Sequence, residues 1–136
     1  MAGKPDLQGL TSAAVIAWAD RGDWLAIDGH RIFVVDIPAA HDATSDPLFV
    51  LHGFPSSSFD WHSVVDHMAN GRRVVLFDFL GCGLSDKPDQ RYRLEGHADV
   101  ASAVATQLGL ERAVIVSHDI GDSVAGELLE IGRAHV

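Results

Sequence analysis

A single cysteine, Cys82, rules out an internal disulfide framework. Long apolar runs are missing too. Leu48 to Leu51 and Ala113 to Val116 are the typical length, far short of the ~20 residues a membrane-spanning helix requires. The opening Met1-Ala2-Gly3-Lys4-Pro5-Asp6 lacks the apolar core of a signal peptide. Cations are scarce: 10 Lys and Arg stand against 19 Asp and Glu, a net charge of −9. Such a balance opposes long-range attraction to nucleic acid or to an anionic membrane, although the 8 histidines would reduce it in acid. No internal repeat or low-complexity tract occurs. These absences lead to the expectation of a cytoplasmic protein with neither nucleic acid nor membrane as partner. They leave the oligomeric state open.

What is present suits a folded domain. Hydrophobic residues make up 47% and charged residues 21% of 136 positions, enough for one core and too few for two ordinary domains. Residues 1–10 read as a loose leader. Thr11 to Asp20 reads as a short helix capped by Thr11 or Ser12 and ended by Arg21-Gly22-Asp23. Trp24 to Ile27 and His30 to Val35 form the arms of a hairpin joined at Asp28-Gly29. After a loop from Pro38 to Pro47, apolar strands and helices alternate. The strands are Leu48 to Leu51, Val74 to Phe77 and Ala113 to Val116. The helices are Phe59 to Met68, Leu94 to Leu108 (closed by Gly109) and Ile120 to Leu129. Strands without a polar face imply burial on both sides, so the fold class is α/β, a mostly parallel sheet behind an opening antiparallel hairpin. Active sites in such sheets form beyond the carboxyl ends of the strands, and three motifs sit there.

The first, Ser117-His118-Asp119-Ile120-Gly121, has the small-x-nucleophile-x-Gly shape of a nucleophile elbow. Its sharp turn needs small flanks, which Ser117 and Gly121 provide. The central Asp119 sits at a helix N-terminus, where free N–H groups favour negative charge. A carboxylate is ionised at neutral pH and attacks without a base. The alternative is that Asp119 is an ordinary helix cap. The second motif is His52-Gly53-Phe54-Pro55. In elbow geometry one oxyanion donor is the N–H after the nucleophile, here Ile120, and the other comes from the loop after an earlier strand, here Phe54. Gly53 would let the backbone approach closely. His52 reads as a buttress of this loop rather than as a base. The third motif, Asp78 to Pro88, carries Gly81 and Gly83 for tight turns, and Ser85 and Asp86 for local side-chain-to-backbone bonds. It reads as a pocket floor, not a phosphate loop, with Cys82 as a small loop residue.

Together these residues resemble the α/β-hydrolase superfamily, in particular its epoxide-hydrolase and haloalkane-dehalogenase branch, which carries an HGxP motif and an aspartate in the elbow. His52 to Trp61, Asp78 to Pro88 and Leu94 to Leu129, with the unusual Ser117-His118-Asp119-Ile120-Gly121-Asp122, are most similar to the mesoderm-specific-transcript-like group. The resemblance spans roughly residues 24–129. It implies that Asp119 attacks an electrophilic carbon, an epoxide above all, and forms a covalent ester. A histidine further along would then activate water against that ester. Phe54 and Ile120 N–H groups would stabilise the oxyanion, with Phe54 also touching the small-molecule substrate. His52, Gly53, Pro55, His118 and Gly121 would shape the site, and no cofactor or metal is implied. Ile120 and Phe54 stand where haloalkane dehalogenases usually have tryptophan and asparagine. Fluoroacetate-type enzymes place an arginine at position 120. Asp122 replaces a small residue, as a cap partner or a perturber of Asp119. Two other readings are a haloalkane dehalogenase and a non-catalytic ligand-binding relative.

In this fold the order is nucleophile, acid, histidine. His135 is the sole histidine after Asp119. The chain is therefore expected to be the N-terminal part of such a hydrolase, truncated after the nucleophile helix and inactive alone. Residues 1–23 would be leader and short helix, 24–129 a partial hydrolase domain, and 130–136 an artefactual tail, since Ile131-Gly132-Arg133-Ala134-His135-Val136 resembles translated sequencing adapter.

Overall fold

The computed structural model describes residues 1–132. Ser12 caps α1 (Ala13–Asp20) by accepting the Val15 N–H. The hairpin follows as β1 (Asp23–Ile27) and β2 (His30–Ile37), paired antiparallel with Ile27 opposite His30. Its turn places Asp28 at φ 50° and Gly29 at φ 79°, the left-handed pair that matches the twist of the flanking strands. Next come β3 (Leu48–Leu51), a 3₁₀ turn (Ser58–Trp61), α2 (Val65–Met68) and β4 (Val74–Phe77). The chain continues through α3 (Leu94–Gln107), β5 (Val114–Ser117) and α4 (Ile120–Gly132). The sheet order is β1-β2-β4-β3-β5, with β3 parallel to both β4 and β5.

The missing polar alternation has a direct cause. Leu48, Val50, Val74 and Leu76 pack with Trp18, Trp24 and Val65 on the α1/α2 face. Phe49, Leu51, Val75 and Phe77 pack with Ala98, Ala101, Val104 and Val124 on the α3/α4 face. Both faces of β3 and β4 are covered, so every residue in them is buried. Each such side chain contributes about 1.5–3 kcal/mol of transfer free energy. Gly109, at φ 70°, ends α3 in a Schellman motif: Leu110 N–H donates to Ala105 O (2.8 Å) and Gly109 N–H to Thr106 O (3.2 Å).

Four expectations change. The helix expected over Phe59 to Met68 breaks into the 3₁₀ turn and the short α2. The Phe59 carbonyl accepts both the His62 N–H (3.0 Å) and His62 Nδ1 (2.7 Å), with the two rings stacked at 3.9 Å, so it is taken by residue 62 instead of continuing an α-helical ladder. Strand β5 is not buried on both faces. It pairs only with β3 among the described residues, and Val114 is 46% exposed. Ser85 makes the expected bond within its loop, its hydroxyl donating to Asp78 O (2.6 Å), but Ser85 and Asp86 also bond across the fold. Ser85 Oγ accepts the Phe33 N–H (2.9 Å), and the Asp86 carboxylate takes the Arg31 N–H (2.7 Å) and Nε–H (3.1 Å). Strand pairing of β2 with β4 stops at Val34, so those two N–H groups need other acceptors, and the loop supplies them. Helix α4 runs to Gly132, beyond the expected end at Leu129, and residues 133–136 of the expected tail lie outside the described residues. No helix among the described residues is long and apolar enough to cross a membrane.

Candidate active site

The carboxyl ends of β3, β4 and β5 lie side by side, because Leu51 pairs with Phe77 on one side and with Ser117 on the other. The three motifs that follow these strands therefore converge. At the end of β5, His118 N–H still bonds Leu51 O (3.2 Å), and the chain then turns sharply into α4. Asp119 occupies φ 56°, a left-handed conformation uncommon outside glycine. The turn closes through Gly121 N–H to His118 O (2.9 Å) and Asp122 N–H to Asp119 O (3.0 Å). Gly121 is a steric requirement: a Cβ there would lie 2.5 Å from Leu51 O and 2.8 Å from His52 O.

Across from the elbow, Phe54 N–H donates to Asp119 Oδ2 at 3.0 Å. Hydrogen bonds from the Phe54 N–H and then the Ile120 N–H hold the Asp119 carboxyl below the usual aspartate value, with a further contribution from His118 and against some desolvation. Gly53 makes this approach feasible, since a Cβ there would lie 2.6 Å from His118 Nδ1 and 3.0 Å from Asp119 Cβ. The Phe54–Pro55 peptide is cis, and the Phe54 side chain is 68% exposed beside the carboxylate. Asp122 accepts the Ser117 hydroxyl at 2.6 Å, linking the two sides of the elbow, and faces solvent rather than Asp119's donors.

His52 is buried. Its Nδ1 lies 2.7 Å from Gly53 O, and its Nε2 accepts the Phe79 N–H at 3.0 Å. The buried Asp78 carboxylate ties the other side of the loop, accepting Ser58 N–H (2.8 Å) and Leu84 N–H (2.8 Å). A Cβ at Gly83 would lie 2.2 Å from that carboxylate, so the glycine admits it. This role of Asp78 escaped the sequence reading. The available signal was an aspartate directly after a wholly apolar strand, followed by a glycine-rich turn. Cys82 is half-buried, and desolvation and Asp78 raise its thiol pKa, which disfavours the reactive thiolate.

A cavity of about 310 Å³ opens beside Ile27, Ile32, Leu80, Tyr92 and His97, at the start of α3. Asp119 is not in its lining, and it contains no nucleophile facing backbone donors. The chemistry-bearing constellation is the open surface at Asp119. No group of three or more potential metal ligands forms among the described residues.

A carboxylate on a strained strand-to-helix turn, facing a backbone N–H from the loop after a neighbouring strand, defines a hydrolase-type elbow on a parallel sheet. The chain belongs to the alpha/beta hydrolase fold family, whose pattern matches residues 46–130. It is 40% identical over 121 residues to LipZ of Mycobacterium tuberculosis, covering 88% of this chain and 40% of that protein. It is 38% identical over 122 residues to the mesoderm-specific transcript homolog protein of Bos taurus, covering 87% of this chain and 36% of the relative. Haloalkane dehalogenases and an epoxide hydrolase are also among its relatives. The solved epoxide hydrolase CorEH superposes with a TM-score of 0.74 at 28% identity, over 82% of this chain and 38% of that one. The chain thus spans about two fifths of the length of its curated relatives.

Proposed function

We propose that Asp119 is the nucleophile of an epoxide-hydrolase-like reaction that proceeds through a covalent alkyl-enzyme ester. One observation carries this reading: the Asp119 carboxylate accepts the Phe54 N–H at 3.0 Å from a left-handed elbow. In the first step a carboxylate oxygen forms a bond to an epoxide carbon. The C–O bond of the ring breaks, and its electron pair leaves as an alkoxide that takes up a proton. In the second step water attacks the ester carbonyl carbon. Negative charge then gathers on the former carboxylate oxygen, where Phe54 and Ile120 N–H groups stabilise it. The ester bond breaks to release the diol and restore Asp119.

Ester hydrolysis needs a general base. His52 cannot serve, since both its ring nitrogens are engaged within the loop. The base, and the acid that orients it, belong in this reading to the part of the whole protein beyond the two fifths described. The 136-residue chain would then alkylate once and stop. Ile120 at the position after the nucleophile and Phe54 in the oxyanion loop offer no side-chain N–H to hold a halide, which favours epoxide over haloalkane.

The test is to incubate the chain with styrene oxide and map adducts by mass spectrometry. A single substrate-derived mass on the peptide carrying Asp119, absent from Asp119→Ala, is expected. No adduct on the parent chain, or one retained in Asp119→Ala, overturns the assignment. Multiple turnover by the chain alone would overturn the placement of the base.

A further inference from the structure

We propose that His52 is a positioning residue that grips the carbonyl of the Gly53–Phe54 peptide, so that the N–H of the same peptide is aimed at the reacting carboxylate and strengthened as a donor. This deepens the reading of Asp119 and Phe54 as partners in an oxyanion site.

The argument begins with a gap in rigidity. Gly53 cannot carry a Cβ, because Asp119 and His118 occupy that space. The residue before the donor peptide therefore keeps the conformational breadth of glycine, and some other contact has to fix the plane of the peptide. Gly53 O and Phe54 N belong to one rigid amide. Its oxygen lies 2.7 Å from His52 Nδ1 and 3.2 Å from Ser56 N, while its N–H lies at 3.0 Å from Asp119 Oδ2. Ser56 Oγ is also near that oxygen, but its one proton goes to the closer Asp60 carboxylate, which can only accept. The donors on Gly53 O are thus His52 and the Ser56 N–H.

The tautomer of His52 follows from its partners. Phe79 N–H can only donate, so Nε2 carries the lone pair, and Nδ1 carries the proton that Gly53 O receives. The ring is locked edge and face: it is 1% exposed and lies 4.4 Å from the Phe79 ring. Donation to an amide oxygen draws electron density from the amide nitrogen and makes its N–H a better donor. The hydrogen-bond chain runs Phe79 N–H, imidazole, Gly53–Phe54 peptide, Asp119 carboxylate, with each member polarising the next. In ester hydrolysis the charge appears at the end of that chain, where a stiffer and stronger donor matters most.

The test uses NMR on the 136-residue chain and two substitutions that divide the imidazole. An asparagine amide reaches the place of Nδ1, and a glutamine amide the place of Nε2. His52→Asn is expected to keep the downfield Phe54 amide proton and the low Asp119 titration. His52→Gln is expected to move that amide upfield and raise the Asp119 midpoint by about half a pH unit. A His52 that merely fills space would affect both variants in step with their stability. The parent chain supplies a measurement that does not depend on the variants folding: the ring ¹⁵N shifts should report a protonated Nδ1 and a bare Nε2. A protonated Nε2 in the parent, or a folded His52→Gln with Phe54 and Asp119 unchanged, overturns the proposal. Alkylation at Asp119 is read separately. Its absence alongside the expected NMR pattern would sink the nucleophile assignment and leave the His52 grip standing.

Discussion

Replacing glycine by alanine should have opposite effects at two positions of the same helix. At Gly126, which is exposed in α4 with nothing within 4 Å of a new Cβ, the methyl group meets open space. The substitution there removes backbone freedom from the unfolded chain and should stabilise by about 1 kcal/mol. At Gly121, in the first turn of α4, the new Cβ would sit 2.5 Å from Leu51 O and 2.8 Å from His52 O. Ordinary contact begins near 3.4 Å, so the helix start has to retreat by roughly an ångström. Those oxygens are backbone atoms of β3 and the residue after it, and they cannot rotate aside as a side chain would. Overpacking of this kind costs about 1–3 kcal/mol, and with the rigid neighbours and the small helix-propensity gain offsetting each other, a loss of about 2–3 kcal/mol is expected. That is a large part of the roughly 5–15 kcal/mol typical of a whole domain. The retreat also draws Asp119 and Ile120 away from Phe54, so Gly121→Ala should lose epoxide alkylation while Gly126→Ala keeps it. Urea unfolding followed by tryptophan fluorescence gives both free energies, and intact-mass analysis gives the alkylation. A Gly121→Ala chain within about 0.5 kcal/mol of the parent would refute the steric account of the elbow.

The N–H donors at Asp119 favour its ionised form, so its folded pKa lies below the unfolded one; the associated stability is present above the unfolded value and lost as pH falls through the folded value. Alkylation should accordingly persist below the ordinary aspartate range and then fall with acid, which a pH series of single-turnover adduct yields will check. Burial depresses the pKa of His97, whose ring packs against Phe79 and Tyr92. The unfolded chain then takes the proton first, so stability should drop as pH falls through the ordinary histidine range; His97→Phe should flatten that acid slope in urea midpoints measured at neutral and mildly acidic pH. Val114, 46% exposed on a strand that pairs on one side only among the described residues, offers apolar surface to a second chain. Val114→Lys should raise the soluble fraction and leave the urea midpoint close to the parent's, as light scattering and unfolding curves will show.

The sequence made the strand and helix order legible because each element announces itself locally. Four-residue apolar strands, an Asp-Gly turn and a glycine after α3 are short-range signals, and the structure places all of them. The break at Phe59 to Met68 was not legible, because it depends on His62 competing for a particular carbonyl. The exposure of β5 was hidden for a similar reason: an apolar strand reads alike at the centre of a sheet and at its edge. The long-range ties of Ser85 and Asp86 depend on where pairing between β2 and β4 stops, which is a property of register rather than of the loop's own residues.

The candidate site divides along the same line. Asp119, Gly53 and Gly121 can be read from the sequence because each answers a local demand: the carboxylate suits the free N–H groups at a helix start, and the glycines stand where a Cβ would collide with the neighbouring loop or strand end. The donors facing Asp119 are backbone N–H groups, so the identities of Phe54 and Ile120 carry no information about them; any residue but proline supplies the same N–H. The loop that carries Phe54 is tied instead by buried side chains bonded to groups remote in the sequence, His52 to the Phe79 N–H and Asp78 to the Ser58 and Leu84 N–H groups. Motif spacing can therefore locate an elbow of this kind, while the loop that faces it is held by buried polar residues whose partners only the folded chain brings together. The exposed side chain of Phe54 takes no part in that donor, whereas His52 and Asp78 are buried and hydrogen-bonded to the backbone around it.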